Sequence, residues 1–125
     1  QIINYRKNLE KRKKIEIRNE KNFIQNSKIK FVPFQKESSY FVFQIFVKNR
    51  NKLIDLLKSK KVGFSIHYAK ALPEMTYYKR KYNLSYRKFL NSRIYAKTNI
   101  SLPVYPKLTF SEVDRISSLV NNFYK

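Results

Sequence analysis

The sequence predicts an α+β domain in which helices pack on a small, mostly antiparallel sheet. Short runs rich in β-branched and aromatic residues at 40–47, 64–68 and 100–104 have the pattern of strands. The strongest helix pattern follows Thr109, which has the capping-box spacing with Glu112. A chain of 125 residues is long enough to bury one core. The buried stripe of this last helix is predicted to be Val113, Ile116, Val120 and Phe123.

The first 22 residues predict a mostly exposed helix, because they contain eight basic and three acidic side chains. Ile2, Tyr5 and Leu9 form only a loose apolar stripe along it. After this helix, Phe31 to Phe34 predict a short extended segment.

Two further helices are predicted in the middle of the chain. Either Asn49 or Asn51 can cap a helix that ends at Gly63. Ser85 can cap another helix, which runs through Tyr86. The apolar side chains of these two helices are Leu53, Ile54, Leu57, Tyr86, Phe89, Leu90 and Ile94.

The three predicted strands differ in how much of each is expected to be covered. The segment 40–47 is apolar on both alternating faces, as in a central strand covered on both sides. The segment 64–68 alternates apolar and polar residues, so Ser65 and His67 are expected on its polar face. Pro103 confines the last strand to an edge of the sheet or to a short length.

The composition excludes several kinds of site. One glycine cannot form a glycine-rich phosphate loop, and without cysteine there is no disulfide, thiolate zinc site or thiol nucleophile. A single histidine excludes a metal site built from several histidines. The eight acidic residues share no motif, so the sequence predicts neither a catalytic carboxylate pair nor a metal site.

The net charge of +20 favours nucleic acid or an anionic membrane as a partner. However, Lys, Asn, Ile, Phe and Tyr account for 64 of the 125 residues, and A- and T-rich codons encode these types. Lys also outnumbers Arg by 20 to 8, whereas proteins that read DNA grooves favour Arg. Much of the charge is therefore attributed to the base composition of the gene.

Two features could carry chemistry. His67 is the only histidine, the residue type that titrates near neutral pH, and it can be either a functional residue or a surface side chain. The stretch Tyr77–Tyr82 interleaves aromatic and basic residues, which can form a stacking and phosphate platform for a nucleotide or a single strand. The same spacing favours, more strongly, a helix turn whose tyrosines pack while its basic groups are solvated.

Several short motifs occur in a fixed order, after a strand and a helix within 40–57. They are VGFSIHY at 62–68, LPEMTYYK at 72–79, FLNS at 89–92 and ISLPVYPKLT at 100–109, followed by Glu112, Val113 and Asp114. In this order they resemble the C-terminal part of the pyridoxal-phosphate-dependent sugar aminotransferases of the DegT/DnrJ/StrS group. The last motif is the most specific, because it is close to the family's SLPLYP-x-LT-x-EEVD.

The resemblance implies a fold like the C-terminal small domain of fold-type I aminotransferases. Residues 1–29 would be a connector helix and loop, and residues 30–125 the small domain. A larger N-terminal domain would carry the lysine that binds pyridoxal 5'-phosphate, and no motif in this chain matches that lysine. The resemblance therefore implies a fragment that is inert alone and binds no cofactor by itself.

The resemblance also implies partners and substrate contacts. His67 and Tyr68 fall on the family's HY motif, which faces a nucleotide-sugar substrate. Tyr77, Tyr78 and Lys79 fall on the following segment near the mouth of the cleft. The partners implied are the large domain, the nucleotide sugar and, in the full enzyme, further copies of the same subunit. No catalytic residue is expected within these 125 residues.

Two other interpretations compete with this one. A small basic nucleic-acid-binding module is the alternative, and a peripheral membrane role for residues 1–22 ranks below it because their apolar face is weak. No run approaches the 20 or so apolar residues that a spanning helix needs. The absence of cysteine and of an apolar leader favours a cytoplasmic protein.

Overall fold

A computed structural model of the chain describes residues 2–85 and 87–125. Its helices and strands follow the order α1, β1, β2, α2, α3, α4, β3 and α5, with a 3-10 turn at Ile2–Asn4 and another at Leu72–Glu74. The bounds are α1 Tyr5–Phe23, β1 Lys30–Phe31, β2 Phe43–Phe46, α2 Arg50–Ser59, α3 Thr76–Lys81, α4 Leu90–Thr98, β3 Asn99–Leu102 and α5 Phe110–Phe123.

The sheet is antiparallel and has β2 between β1 and β3. In the register of β2 with β3, Ile45 lies opposite Ile100 and Gln44 lies opposite Ser101. Side chains alternate between the faces of a strand, so one face of this pair is apolar and the other carries polar groups. The apolar face has Phe43, Ile45, Ile100 and Leu102; the other face has Gln44, Phe46, Asn99 and Ser101.

The hydrophobic core lies between the apolar face of the sheet and three helices. Phe23 of α1 and Val120 of α5 are fully shielded from solvent. Leu53 and Leu57 of α2 are equally buried in the same cluster. Burial of each such side chain contributes about 1.5–3 kcal/mol. Helices packed on a small antiparallel sheet confirm the predicted α+β fold.

The C-terminal helix α5 begins with the predicted capping box. The Thr109 hydroxyl oxygen accepts a hydrogen bond from the Glu112 backbone N–H, and the Glu112 carboxylate accepts one from the Thr109 backbone N–H. Val113, Ile116 and Val120 are buried as predicted, whereas Phe123 is half-buried. The box and the apolar stripe together set where α5 begins and which side faces the core.

Most of helix α1 is accessible to solvent, as expected, but its buried face is not at the predicted stripe. Ile2 and Tyr5, which were expected on its apolar stripe, are largely exposed to solvent. The buried face lies further along the helix, where it packs against α5, and it consists of Ile15, Glu16, Asn19 and Phe23. The charged composition concealed this face because half of it is polar.

The contact between α1 and α5 is largely polar. Arg18 donates two hydrogen bonds to the Asp114 carboxylate, at 2.8 and 2.7 Å. The Asn22 side chain donates to the same carboxylate at 2.8 Å, and Asn121 donates back to the Asn22 carbonyl at 2.9 Å. Amide and charged groups therefore hold the N-terminal helix on the domain alongside the apolar contacts of Ile15 and Phe23.

Helix α2 begins directly after Asn49, one of the two predicted cap positions, but it ends four residues before the predicted Gly63. Asn49 precedes the helix in a left-handed conformation with φ of 54°, and its side chain makes no capping hydrogen bond. The helix ends at Ser59, and Lys61 rather than Gly63 adopts the left-handed conformation, with φ of 55°. The cause is Val62, whose N–H bonds to the Leu57 carbonyl while its side chain enters the core.

The segment 64–68 is not the half-buried strand that its alternation predicted. It pairs with β3 only through a single bridge between Ser65 and Ser101. Beyond Ser65 the chain turns, which leaves the Tyr68 side chain 72% exposed instead of inward-facing. One bridge supplies only two hydrogen bonds, and the turn at 67–68 leaves no further residues of this segment to pair with β3.

The helix predicted to begin after Ser85 begins later than expected. Helix α4 begins at Leu90, after a turn at 87–89, and the Phe89 carbonyl accepts its first hydrogen bond. Tyr86 lies outside the described residues. Pro103 was predicted to confine the last strand to an edge or to a short length, and the short length is confirmed, because β3 has four residues and ends at Leu102, directly before Pro103.

We expect stability to decrease as the pH rises through the titration of Glu16. Glu16 is 8% exposed and, among the described residues, its Oε2 atom has no hydrogen-bond partner. Burial and the neighbouring Glu20 raise its pKa to about 7 from an ordinary value of 4.5. The folded state therefore binds this proton more tightly than the unfolded state, and its stabilising effect is lost between about pH 4.5 and 7.

The Glu16→Gln variant should be more stable than the parent chain by about 1–3 kcal/mol at pH 8. Urea unfolding at pH 5 and pH 8 measures the difference. Glu10→Gln, at an exposed position of the same helix, is the control. Identical pH dependence in the Glu16→Gln variant and the parent would contradict the assignment.

The opposite pH dependence is expected for Asp114. Hydrogen bonds from Arg18 and Asn22 lower the pKa of its carboxyl to about 2. The folded state therefore holds this proton less tightly, so the stabilisation is complete above about pH 4 and lost as the pH falls through 2. Asp114→Asn should lower the urea midpoint relative to the parent at pH 7. At pH 2 the two midpoints should be nearly equal, because the parent has already lost most of this stabilisation. Asp55→Asn, at an exposed position of α2, is the control; equal losses from both variants would count against the α1–α5 contact.

Candidate functional site

The segment His67–Tyr68 lies over the polar face of the β2–β3 pair. Side chains from both strands reach its backbone. The Gln44 amide donates to the His67 carbonyl at 2.8 Å, and the Asn99 side-chain oxygen accepts from the His67 N–H at 3.2 Å. The Asn99 amide also donates to the Tyr68 carbonyl at 3.4 Å. The turn is thereby held on the sheet from both ends.

Asn99 is itself fixed in place. It is fully buried, and its amide donates to the Tyr95 carbonyl at the end of α4 at 2.8 Å. Arg50 reaches the same corner, where it donates to the carbonyls of Ala96 and Asn99 at 2.6 and 3.1 Å. Burial lowers the pKa of the Arg50 guanidinium. The junction between α4 and β3 is therefore a fixed support for the His67 segment.

The His67 ring has two serine hydroxyls near one of its nitrogens and two aromatic neighbours. Its Nδ1 atom lies 2.9 Å from the Ser101 hydroxyl and 3.4 Å from the Ser65 hydroxyl. The rings of Phe41 and Tyr68 stand edge-on at 6.2 and 5.7 Å between centroids. Ser65 and His67 lie together, as the alternation of the segment indicated.

Beside Tyr68 there is an open apolar groove. It lies between the 3-10 turn Leu72–Glu74 and helix α4, and the side chains of Leu72 and Tyr95 are largely exposed there. The Tyr95 hydroxyl donates to the Gln44 side chain at 2.7 Å, which joins this groove to the polar face of the sheet. The exposed Tyr68 ring thus borders a surface that can accept a further ligand or chain.

Tyr77, Tyr78 and Lys79 lie on α3, apart from the pair on the sheet. Among the described residues, no hydrogen bond or ring contact joins these three to His67 or Tyr68. All three are exposed to solvent. The structure therefore brings His67 and Tyr68 together and leaves the α3 residues as a separate group.

The aromatic rings of α3 already contact one another and a lysine. The Tyr78 ring stacks on Tyr82 at 6.3 Å and meets Tyr77 edge-on at 5.2 Å. Lys81 Nζ lies over the rings of Tyr77 and Tyr82, at 5.3 and 5.5 Å from their centroids. The stretch is a helix, but its three tyrosines contact one another at the surface and are not packed in the core as the helix-turn interpretation expected.

Sequence reasoning missed the residues that hold the site. Gln44 stood out only as the polar residue inside an apolar strand, and Asn99 and Ser101 alternate with Ile100 and Leu102. The period of two was the available signal, because it places Asn99 and Ser101 on the face opposite the core. The partner of that face could not be identified, since His67 is more than 20 residues away from both strands.

The residues present do not fit a covalent pyridoxal phosphate site within the chain. Such a site needs a lysine in an enclosed pocket, where its amine can be desolvated. The buried charged side chains of the described part are those of Glu16 and Arg93, and every described lysine reaches solvent. The Arg93 guanidinium donates a hydrogen bond to the Glu74 carboxylate at 3.1 Å, so this buried charge connects α4 to the 3-10 turn Leu72–Glu74.

The chain belongs to the DegT/DnrJ/EryC1/StrS aminotransferase family. The match covers residues 1–121, almost the whole chain, and it confirms the resemblance that the ordered motifs indicated. It also extends through α1, where no motif had been identified.

Among known proteins, the chain is 31% identical over 77 residues to the UDP-4-amino-4-deoxy-L-arabinose–oxoglutarate aminotransferase of Shewanella sediminis. This match covers 58% of the chain and 20% of that enzyme. The apo form of a Streptococcus pneumoniae protein, provisionally assigned as a sugar aminotransferase, superposes with a TM-score of 0.84 at 26% identity. It covers 98% of this chain and 32% of that one.

The fold also matches more distant structures. DesV from S. venezuelae, solved with a ketimine intermediate, has a TM-score of 0.90 at 14% identity and covers 99% of this chain and 34% of its own. The chain thus spans about a third of these solved proteins and about a fifth of the Shewanella enzyme. In the described part, no helix is both long and apolar enough to cross a membrane.

Proposed function

We propose that this chain is the C-terminal, substrate-contacting part of an aminotransferase that transfers an amino group to the keto-sugar of a nucleotide sugar. The observation that carries the proposal is the His67–Tyr68 turn, which Gln44 and Asn99 anchor on the sheet while the Tyr68 ring remains exposed. An anchored backbone with free side chains is suited to ligand contact. Membership of the aminotransferase family supports the reaction class.

The proposal divides the chain into two parts. Residues 1–29 are a connector helix and loop, and residues 30–125 are the small domain. A large N-terminal domain, which is not among these residues, binds pyridoxal phosphate through a lysine. The exposed positions of the described lysines and the threefold greater length of the solved relatives support this division. When bound there, the cofactor supplies the electron sink that amino-group transfer requires.

In this proposal the chain acts as a cover over the cofactor site. His67 and Tyr68 contact the nucleotide sugar, and the groove beside Tyr68 faces the large domain. Tyr77, Tyr78 and Lys79 lie at the mouth of the cleft and form a second, more exposed contact. A cover of this kind excludes water and fixes the sugar in the orientation for reaction. The active enzyme is a homo-oligomer.

A basic nucleic-acid-binding module is the second candidate, because of the net charge of +20. Its aromatic component would be the α3 tyrosines, which instead contact one another and Lys81. Charge alone gives only salt-sensitive, sequence-independent binding. We therefore rank this function below the aminotransferase role.

The chain by itself should form no specific adduct with pyridoxal phosphate. Incubation with the cofactor, borohydride reduction and peptide mapping should give low, scattered modification over many surface lysines. This is the expected result because no described lysine lies in an enclosed pocket. Stoichiometric trapping of one particular lysine would contradict the proposed division of labour.

A hybrid enzyme tests the substrate contacts. Residues 1–125 would replace the matching third of the Streptococcus pneumoniae protein, which superposes over 98% of this chain. We expect the hybrid to aminate a nucleotide keto-sugar. His67→Ala and Tyr68→Ala should each lower kcat/KM by about 10- to 100-fold, as expected when a contact to the reacting substrate is lost.

The cofactor absorbance of the hybrid separates loss of contact from loss of folding. It should be unchanged in both variants, and Lys52→Ala, at an exposed position of α2, is the matched control. Parent-like kcat/KM in both site variants would contradict the assignment of His67 and Tyr68.

A further inference from the structure

We propose that Ser101 is a positioning residue that holds the His67 ring as the Nε2–H tautomer. His67 then presents a fixed hydrogen-bond donor, and the ligand atom it takes is an oxygen acceptor such as a phosphate or sugar oxygen. The choice of ligand rests on the proposed function. The tautomer itself rests only on contacts within the chain.

The proton of the Ser101 hydroxyl decides the tautomer. Ser101 is 1% exposed, so its hydroxyl cannot bond to bulk water. Among the described residues, the only partner of this hydroxyl is His67 Nδ1, at 2.9 Å. A buried hydroxyl donates its proton wherever an acceptor is present. Ser101 therefore donates, and Nδ1 accepts with its lone pair.

An accepting Nδ1 leaves the ring proton on Nε2. In a neutral imidazole one ring nitrogen carries the proton and the other does not. Among the described residues, Nε2 of His67 has no hydrogen-bond partner, so its N–H is free for a ligand. This is the arrangement by which a neighbouring group selects the tautomer of a functional histidine.

The backbone around Ser101 keeps this contact in place. Ser101 N–H donates to the Ser65 carbonyl at 2.8 Å, and Ser65 N–H donates to the Ser101 carbonyl at 3.1 Å. The His67 backbone is held separately by Gln44 and Asn99. The Ser101 hydroxyl and the His67 ring are therefore each held in place by their own backbone contacts.

Ser65 cannot replace Ser101 in this role. Its hydroxyl lies further from Nδ1, at 3.4 Å, and it belongs to an exposed residue. Water can satisfy an exposed hydroxyl, so this group is not required to donate to the ring. The difference between the two serines provides a matched control.

Nitrogen-15 NMR of the imidazole tests the proposal, because His67 is the only histidine in the chain. In the full 125-residue chain, at a pH where the ring is neutral, Nε2 should have the shift of a protonated nitrogen and Nδ1 that of an unprotonated one. The Ser101 hydroxyl proton should exchange slowly with water.

In Ser101→Ala the ratio of Nε2–H to Nδ1–H should fall about five- to tenfold, the effect of one lost hydrogen bond. Ser101→Thr, which keeps the hydroxyl, should restore the ratio. Ser65→Ala should leave it unchanged. Ser117→Ala should also leave it unchanged, since that buried hydroxyl donates to Val113 within α5.

Two results would overturn the inference. One is a proton on Nδ1 in the parent chain, and the other is a Ser101→Ala spectrum identical to that of the parent in a variant with a native amide spectrum. The measurement needs no cofactor, sugar or large domain. A failed aminotransferase assay would therefore leave this result standing, and a failed tautomer test would leave the reaction class standing.

Discussion

The pairing of β2 with β3 is the constraint on which both the core and the candidate site depend. Its register places Ile45 opposite Ile100 on the core face and Gln44 opposite Ser101 on the other face. A slip of one residue would exchange the two faces and bury amides in place of aliphatic side chains. The cost of that exchange fixes the register, and the register fixes which groups lie beneath His67.

The two halves of the molecule are stabilised by different interactions. The sheet and α2 depend on apolar burial around Phe43 and Leu57, which changes little with pH. Helix α1 depends in part on the Arg18–Asp114 pair, which responds to protons and, because it is partly exposed, to salt. The buried Glu16 instead opposes the folded state once its carboxyl ionises.

Sequence patterns predicted the features that depend on neighbouring residues. The capping box of Thr109 and the central position of β2 follow from local spacing, and both are confirmed. The end of α2 at Ser59, followed by the left-handed Lys61, was missed because the docking of Val62 in the core decides it. Gln44 and Asn99 were missed because their partner, the His67 turn, lies 23 and 32 residues away, and pattern within one segment does not identify partners at that distance.

The central claim is that this fold presents His67 and Tyr68 to a substrate held by a separate, cofactor-binding domain. The most direct test is the sequence of the gene upstream of the Gln1 codon. We expect the reading frame to continue through a large domain that contains the lysine for pyridoxal phosphate. A stop codon in frame directly upstream, or an upstream domain without such a lysine, would contradict the account.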